Sequence, residues 1–149
     1  MKVYEIERGE YRITTDPSQL DFEACCRMLH SVYWAKTRSR ERIRKSFENS
    51  IVFGVFCSGE QCGIARVVTD RATFAWLCDV VISEEHRGKG VGKWVVEAIL
   101  EHPDLQDLRY FLLATRDAHS LYERYGWTPL PNPARWMIRL DEEAKLAMQ

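Results

Sequence analysis

Apolar residues recur at strand spacing and then at helical spacing along the N-terminal part of the chain. Residues 3–14 alternate loosely between apolar and polar side chains, which predicts one N-terminal strand. The next apolar side chains stand at positions i, i+3, i+4 and i+7, and they are Phe22, Cys25, Cys26 and Leu29. This spacing predicts a helix with one apolar face.

A second helix and a group of short strands follow. Residues 39–50 predict a helix with Ser39 as its N-cap and a strongly cationic outer face. The pattern then changes to three apolar, β-rich runs, separated by turns at residues 58–61 and 70–71. Because consecutive strands with short turns pair as neighbours, these runs predict an antiparallel meander that ends at Ile82.

The C-terminal half is expected to add a parallel strand pair. A helix at residues 91–102, stopped by Pro103, leads to an apolar strand at residues 108–115 that we expect to be covered on both faces. A crossover helix returns the chain in the same direction, so this strand pairs in parallel with the last meander strand. The other predicted elements are a short helix at 118–126, a last strand at 135–140 and a frayed or weakly helical tail. The sequence therefore predicts one α/β domain, 1–149, with a mixed, mostly antiparallel sheet and helices on both faces.

Composition and charge exclude several classes of function. The chain has 149 residues, with 21 Lys and Arg against 22 Asp and Glu, and this net charge of −1 argues against binding nucleic acid through bulk charge. No apolar run approaches the ~20 residues of a membrane span, and residues 1–10 lack the apolar core of a signal peptide. We therefore expect a cytoplasmic protein without nucleic-acid or membrane partners. Five cysteines without repeated spacing and four dispersed histidines predict reduced thiols that are buried or half-buried, and no metal site.

The most informative segment is RGKGVG at residues 87–92, between a strand and a helix. Glycines allow a sharp turn and a close approach of a ligand to backbone amides. The N-terminus of a helix supplies free N–H groups and the positive end of a dipole, which favours a phosphate group. A plain tight turn is the alternative, but three glycines with three nearby cations exceed what a turn requires.

Two common nucleotide motifs do not fit this loop. Arg87 stands where a P-loop has its first glycine, and Trp94 replaces the hydroxyl residue that would hold magnesium. Lys93 occupies the place of the third glycine in G-x-G-x-x-G. The loop matches R-x-x-G-x-G, and the segment at residues 114–127, ATRDAHSLYERYGW, contains A-x-x-L-Y-E-x-x-G-W. Together these motifs and the predicted element order resemble the GNAT superfamily of N-acetyltransferases, over about residues 51–127.

The resemblance implies how acetyl-coenzyme A is bound. Backbone amides of the glycine loop would hold the pyrophosphate, and the end of the preceding strand would pair with the pantetheine arm as an added strand. This strand and the one at residues 108–115 are expected to splay apart and leave the cleft. The implied cofactor-binding residues are Val80, Val81, Ile82, Arg87, Gly88, Lys89, Gly90, Val91, Gly92 and Lys93.

The resemblance also implies catalytic roles. Tyr122 matches the tyrosine that reprotonates the coenzyme A thiolate, although an ordinary core aromatic is the alternative. Some family members carry a glutamate base on the strand before the loop, but by our count that position is Trp76 here. Asp79 and Asp117 are the candidate bases, with a strand-end or arginine-pairing role open for Asp79 and an N-cap role open for Asp117. A water-mediated route or a neutral incoming amine would need no dedicated base.

The acceptor side is expected in the connection between the first two helices. Tyr33 and Trp34 would line a pocket, and Arg38 or Arg40 would bind a carboxylate or phosphate of the substrate. The alternatives are core aromatics and a solvated cationic face. We therefore predict direct acetyl transfer from acetyl-coenzyme A to a primary amine, on a small molecule or on a peptide or protein, by a monomer or homodimer without metal. The alternative is a non-catalytic acyl-coenzyme A sensor or interaction module.

Overall fold

The computed structural model describes residues 2–147. The chain divides into two compact units, Met1–Ala114 and Thr115–Gln149. Within the described residues, the first unit holds a six-stranded sheet in the order β1 to β6 along the sheet. The first two strands are β1 (Glu5–Arg8) and β2 (Tyr11–Thr14), and the following strands are β3 (Ile51–Cys57), β4 (Glu60–Thr69), β5 (Phe74–Ile82) and β6 (Tyr110–Leu113).

Three longer helices belong to the first unit: α1 (Phe22–His30), α2 (Arg40–Glu48) and α3 (Val91–Glu101). Asp21 caps α1 by accepting a 3.1 Å hydrogen bond from the Ala24 amide, and Ser39 caps α2 in the same way through the Arg42 amide, as predicted. Within residues 2–147, no helix has the length and apolar character of a membrane-spanning segment.

The core lies on both faces of the sheet. Consecutive residues from Cys62 to Val67 in β4 are all buried, so both faces of this strand are covered. On one face α1 packs against β4 and β5, and the shared core includes Cys25, Leu29, Ile64 and Val81. Helix α3 packs against β5 and β3. The predicted mixed α/β architecture, with an antiparallel meander and one parallel pair, is confirmed.

Two sequence predictions for strands were wrong. Residues 3–14 form a hairpin rather than one strand, because Gly9 adopts a φ of +59° and reverses the chain between β1 and β2. Residues 136–140 form no strand, and a short 3-10 helix, Pro133–Arg135, precedes them. Met137 and Ile138 are 96% and 74% exposed, so their side chains lack the packing that stabilises a strand.

The last strand of the sheet is also less covered than predicted. The pattern of β6 predicted burial on both faces, but Tyr110 is exposed and the other three residues are half-buried. Strand β6 lies at the edge of the six-stranded sheet, with β5 as its neighbour in the described chain. An edge strand lacks a second neighbour, so its side chains keep more contact with water.

The second unit contains two short helices, α4 (His119–Glu123) and α5 (Glu142–Ala147), and α5 corresponds to the predicted weakly helical tail. Gly126, with a φ of +99°, follows α4 and ends it as predicted. The N-cap prediction for Asp117 was wrong. Ala118 occupies the N-cap position, and its amide donates to Thr115 Oγ1 over 3.1 Å.

Candidate active site

The glycine loop joins β5 to α3 in a conformation that only glycine adopts easily. Gly88 and Gly90 have φ values of +76° and +80°, and Gly90 is the N-cap of α3. A glycine N-cap has no side chain with which to satisfy the first helical amides, and the first turn contains no acidic residue. The amides at the start of α3 are therefore available to an external anion.

Gly92 differs from the other two glycines because its backbone does not require glycine. It lies in the first turn of α3 with an ordinary helical φ. A Cβ built on Gly88, Gly90 or Gly92 would meet no atom within 4 Å. Neither conformation nor packing explains Gly92, which is the arrangement expected where a ligand lies against the backbone.

Side chains around the loop add positive charge and fix its ends. Arg87, Lys89 and Lys93 are exposed, and Arg87 Nε donates a 2.8 Å hydrogen bond to the Ile82 carbonyl at the end of β5. The hydroxyl of Tyr11 on β2 lies 2.9 Å from His86 Nδ1. These contacts anchor the loop to two strands, so its amides are held in place before a ligand arrives.

The strand before the loop separates from its parallel neighbour. Pairing between β5 and β6 ends at Leu77 and Leu113, while β5 continues to Ile82. The last five residues of β5 therefore extend past the end of β6, as the predicted splay requires. Val81 is buried, whereas Val80 and Ile82 are half-buried. The β5 edge beyond Leu77 can accept an extended chain as an additional strand.

A bulge in β5 lies at the point where this separation begins. Ile64 pairs with Val81 and Arg66 pairs with Cys78, so two residues of β5 stand opposite one residue of β4. The first of the two is Asp79, which has a φ of +56°. A non-glycine residue in this region is strained, and such residues persist where surrounding contacts hold them.

Those contacts form a buried ionic cluster around Asp79, which is 3% exposed. Arg38 Nη1 and Arg66 Nε donate to Asp79 Oδ2 over 2.7 and 2.8 Å. The indole Nε1 of Trp34 donates to Oδ1 over 3.2 Å. Arg66 Nη1 also donates to Ser50 Oγ over 3.1 Å. The cluster therefore ties the connection between α1 and α2 to β4 and to the bulge of β5.

The cluster determines the charge state of Asp79. Burial opposes ionisation of this carboxyl, but the hydrogen bonds and charges of Arg38 and Arg66 outweigh it and lower its pKa. A carboxylate with a lowered pKa and two guanidinium partners is a weak proton acceptor. Of the roles left open by the sequence, this environment supports arginine pairing over general-base catalysis.

Sequence reasoning did not identify Arg66 as part of the site. Arg66 lies within the apolar run of β4 and is 9% exposed. Arginine is almost never buried without a partner, so its position in an apolar strand predicts a nearby carboxylate. That signal pointed to a buried ion pair, although the sequence could not identify Asp79 as the partner.

The predicted acceptor residues occupy the connection that the cluster holds. Tyr33 and Trp34 are 50% and 43% exposed, and their rings meet edge to face with centroids 5.1 Å apart. Arg38 keeps 20% of its side-chain surface exposed. Arg40 instead pairs with Glu23 on α1, at the surface. The alternative that these aromatic rings fill the core is therefore wrong, and Arg38 is the arginine that lies beside β5.

Cys78, in the same strand, is half-buried, and its environment does not favour a nucleophilic thiolate. Burial raises the pKa of its thiol to about 12, so the reactive thiolate is scarce at neutral pH. All five cysteines are free, and Cys25, Cys26 and Cys62 are buried, as the sequence predicted.

In the second unit, Tyr122 is buried and Asp117 is exposed. The ring of Tyr122 meets that of Trp127 at 75°, with centroids 5.7 Å apart. Burial raises the pKa of the Tyr122 phenol, which keeps it protonated and able to act as a proton donor. Within residues 2–147, no group of three or more His, Cys, Asp or Glu side chains is arranged to hold a metal ion.

Comparison with known proteins identifies the family. Residues 48–129 match the model of the acetyltransferase (GNAT) domain. A proposed acetyltransferase from Gibberella zeae is 32% identical in an alignment 143 positions long, and the match covers 80% of each chain. A crystal structure of a proposed GNAT-family acetyltransferase from Xanthomonas campestris is 43% identical, with a TM-score of 0.87 over 91% of this chain and 96% of that one. A probable acetyltransferase from Staphylococcus aureus shares the fold at 20% identity, with a TM-score of 0.70 over 88% of this chain and 98% of that one.

The glycine loop, the separated strands and these matches agree, and the chain belongs to the GNAT family of acetyltransferases.

Proposed function

We propose that this protein transfers the acetyl group of acetyl-coenzyme A to a primary amine of a small molecule, by direct transfer in a ternary complex. The observation that carries the proposal is Gly92. The fold needs no glycine there, and the space that a Cβ would fill lies beside the first amides of α3. A pyrophosphate suits this arrangement because its oxygens accept from backbone amides and its charge interacts favourably with the helix dipole.

The other cofactor contacts follow from the same two elements. Arg87, Lys89 and Lys93 supply positive charge around the loop, and Gly88, Gly90 and Val91 shape its backbone. Val80, Val81 and Ile82 present the β5 edge to the pantetheine arm, and a backbone N–H of this strand polarises the thioester carbonyl.

Proton movements are assigned to a small set of groups. Tyr122 donates a proton to the departing coenzyme A thiolate, which is a base of comparable strength to a phenolate. Asp79 holds Arg38 and Trp34 in position rather than taking a proton. The acceptor amine arrives neutral or loses its proton to water, and Asp117 remains the alternative base.

Two linked measurements test this function. Acetyl-coenzyme A and coenzyme A should each raise the melting temperature of the protein, whereas ATP and NAD should not, because a ligand that binds only the folded state stabilises it. Thiol release from acetyl-coenzyme A should then depend on an added amine, with the N-acetylated product detected by mass spectrometry. Stabilisation by acetyl-coenzyme A without thiol release for any amine would instead identify an acyl-coenzyme A sensor.

A further inference from the structure

The ionic cluster around Asp79 carries more positive than negative charge. Two guanidinium groups, Arg38 and Arg66, share one carboxylate, and the three side chains are 20%, 11% and 1% exposed. Within residues 2–147, Asp79 is the one carboxylate that forms a salt bridge with either arginine. A net positive charge at a poorly solvated position is costly unless an anion neutralises it.

Arg38 is the member of the cluster that can reach a ligand. One of its guanidinium N–H groups donates to Asp79, and the remaining guanidinium N–H groups make no hydrogen bond within residues 2–147. The hydrogen bond to Asp79 fixes one side of the planar Arg38 guanidinium. The N–H groups on its other side remain available for a second partner. Arginine binds carboxylates through two parallel hydrogen bonds, and a guanidinium already held in place loses little entropy when it does so.

The residues beside Arg38 define the rest of the acceptor site. The Trp34 ring is held by its N–H on Asp79 Oδ1, yet 43% of the residue remains exposed. Tyr33 packs edge to face against it. A fixed and exposed aromatic surface next to a guanidinium suits a ligand with an anionic end and an apolar body.

We propose that the acceptor is an amine that also carries a carboxylate, as an apolar or aromatic amino acid does, and that Arg38 binds this carboxylate. This inference rests on the proposed N-acetyltransferase function. Acetylation then forms the amide N–C bond and breaks the thioester C–S bond, while the amine proton leaves to water and the thiolate gains a proton. The cluster also discriminates against polyamines, which bring only positive charge.

The test compares amines that differ only in the carboxylate. The pairs are phenylalanine with phenethylamine, tryptophan with tryptamine, and leucine with isopentylamine, and the amide of each amino acid is a third arm. For each acceptor, kcat/KM is measured by thiol release and the product is identified by mass spectrometry. We expect at least one amino acid to exceed its descarboxy partner and its amide by roughly 10–100-fold, the range expected for a hydrogen-bonded charged group.

The variant Arg38→Gln should reduce the ratio of kcat/KM between an amino acid and its descarboxy partner to about one. Glutamine carries no charge, so it cannot form an ion pair with the carboxylate. Arg66 keeps Asp79 paired in this variant, so the fold should survive, and the thermal shift with acetyl-coenzyme A checks that it does. The matched control is Arg40→Gln, which removes a neighbouring arginine bound to Glu23 and should preserve the ratio.

Each outcome has a distinct meaning. Equal or faster acetylation of the descarboxy amines would overturn the carboxylate-bearing acceptor while leaving the N-acetyltransferase function intact. A preference for phosphorylated amines over both members of every pair would also overturn it. Absence of thiol release with every amine would overturn the proposed function and this inference together.

Discussion

The Asp79 carboxylate lies 2.7 Å from the Arg38 guanidinium, although 41 residues separate them in the chain. This contact joins the connection between α1 and α2 to the bulge of β5, at the place where β5 leaves β6. The same carboxylate also accepts hydrogen bonds from Arg66 and from the indole of Trp34. The connection between α1 and α2 and the end of β5 are therefore linked through one buried carboxylate.

Replacing Asp79 should destabilise the protein strongly. Asp79→Asn leaves two poorly solvated guanidinium groups without a counter-charge, and breaking a buried ion pair in this way costs about 3–5 kcal/mol. Urea denaturation measures the change in the free energy of unfolding. The control, Glu23→Gln, breaks the exposed pair with Arg40 and should change the free energy of unfolding far less, because water screens this pair. Equal costs for the two variants would contradict the structural role of the cluster.

Gly92→Ala should separate folding from cofactor binding. Alanine is a better helix former than glycine by roughly 1 kcal/mol, and its Cβ meets no protein atom within 4 Å, so stability should hold or rise. Acetyl-coenzyme A should bind about tenfold more weakly or worse, because the methyl group stands where the ligand approaches the amides. Calorimetric titration and thermal melting measure the two effects.

Gly9→Ala provides the opposite control. Gly9 lies in the turn between β1 and β2 with a φ of +59°, so alanine there should lower stability by about 1 kcal/mol and leave cofactor affinity unchanged. Unchanged acetyl-coenzyme A affinity in Gly92→Ala would refute the placement of the pyrophosphate at the loop.

Tyr122→Phe should slow turnover without weakening cofactor binding. The ring and its contact with Trp127 remain, so the melting temperature should change little. Loss of the proton donor should lower kcat by roughly 100-fold or more. Because burial raises the pKa of Tyr122, the wild-type phenol stays protonated over the range in which amines lose their protons, and activity should rise with pH through that range. Tyr125→Phe, in the turn that follows α4, is the control, and equal kcat values for the two variants would exclude the acid role.

The buried thiols should make the protein less stable at alkaline pH. Burial raises the pKa of Cys25 and of Cys62 to about 11 and that of Cys78 to about 12. An unfolded thiol ionises near pH ~8.5, so the stabilising effect is complete below that pH and is lost as the pH rises to about 11. Urea denaturation under reducing conditions at a series of pH values measures this loss.

Cys78→Ala should reduce the alkaline loss of stability, and Cys57→Ala is its control. A pH dependence unaffected by Cys78→Ala would show that this thiol is exposed to water in the folded protein.

Local sequence patterns were sufficient to predict most of the helices and strands that position the site. The spacing of Phe22, Cys25 and Leu29 predicted α1, and the hydroxyl of Ser39 predicted the start of α2, because helices and their caps depend on neighbours within a few residues. The turn residues between apolar runs predicted the meander. The R-x-x-G-x-G motif predicted an anion site for the same reason, since a glycine loop and the helix that follows are adjacent in sequence.

Features that depend on distant partners were missed or misassigned. The N-terminal hairpin depends on a turn at Gly9, and the alternation of residues 3–14 did not reveal this turn. Residues 135–140 have a strand-like composition, but a strand exists only with an edge to pair with. Arg66 carried a signal, a cation in an apolar strand, without indicating its partner.

The sequence by itself determined the family, the order of the main elements and the residues of the glycine loop, because these are local properties of a chain with short turns and periodic apolar positions. Only the tertiary structure shows which charges surround Asp79. Whether a carboxylate takes protons or anchors cations depends on which charges surround it, and Arg38 and Arg66 reach Asp79 only when the chain has folded.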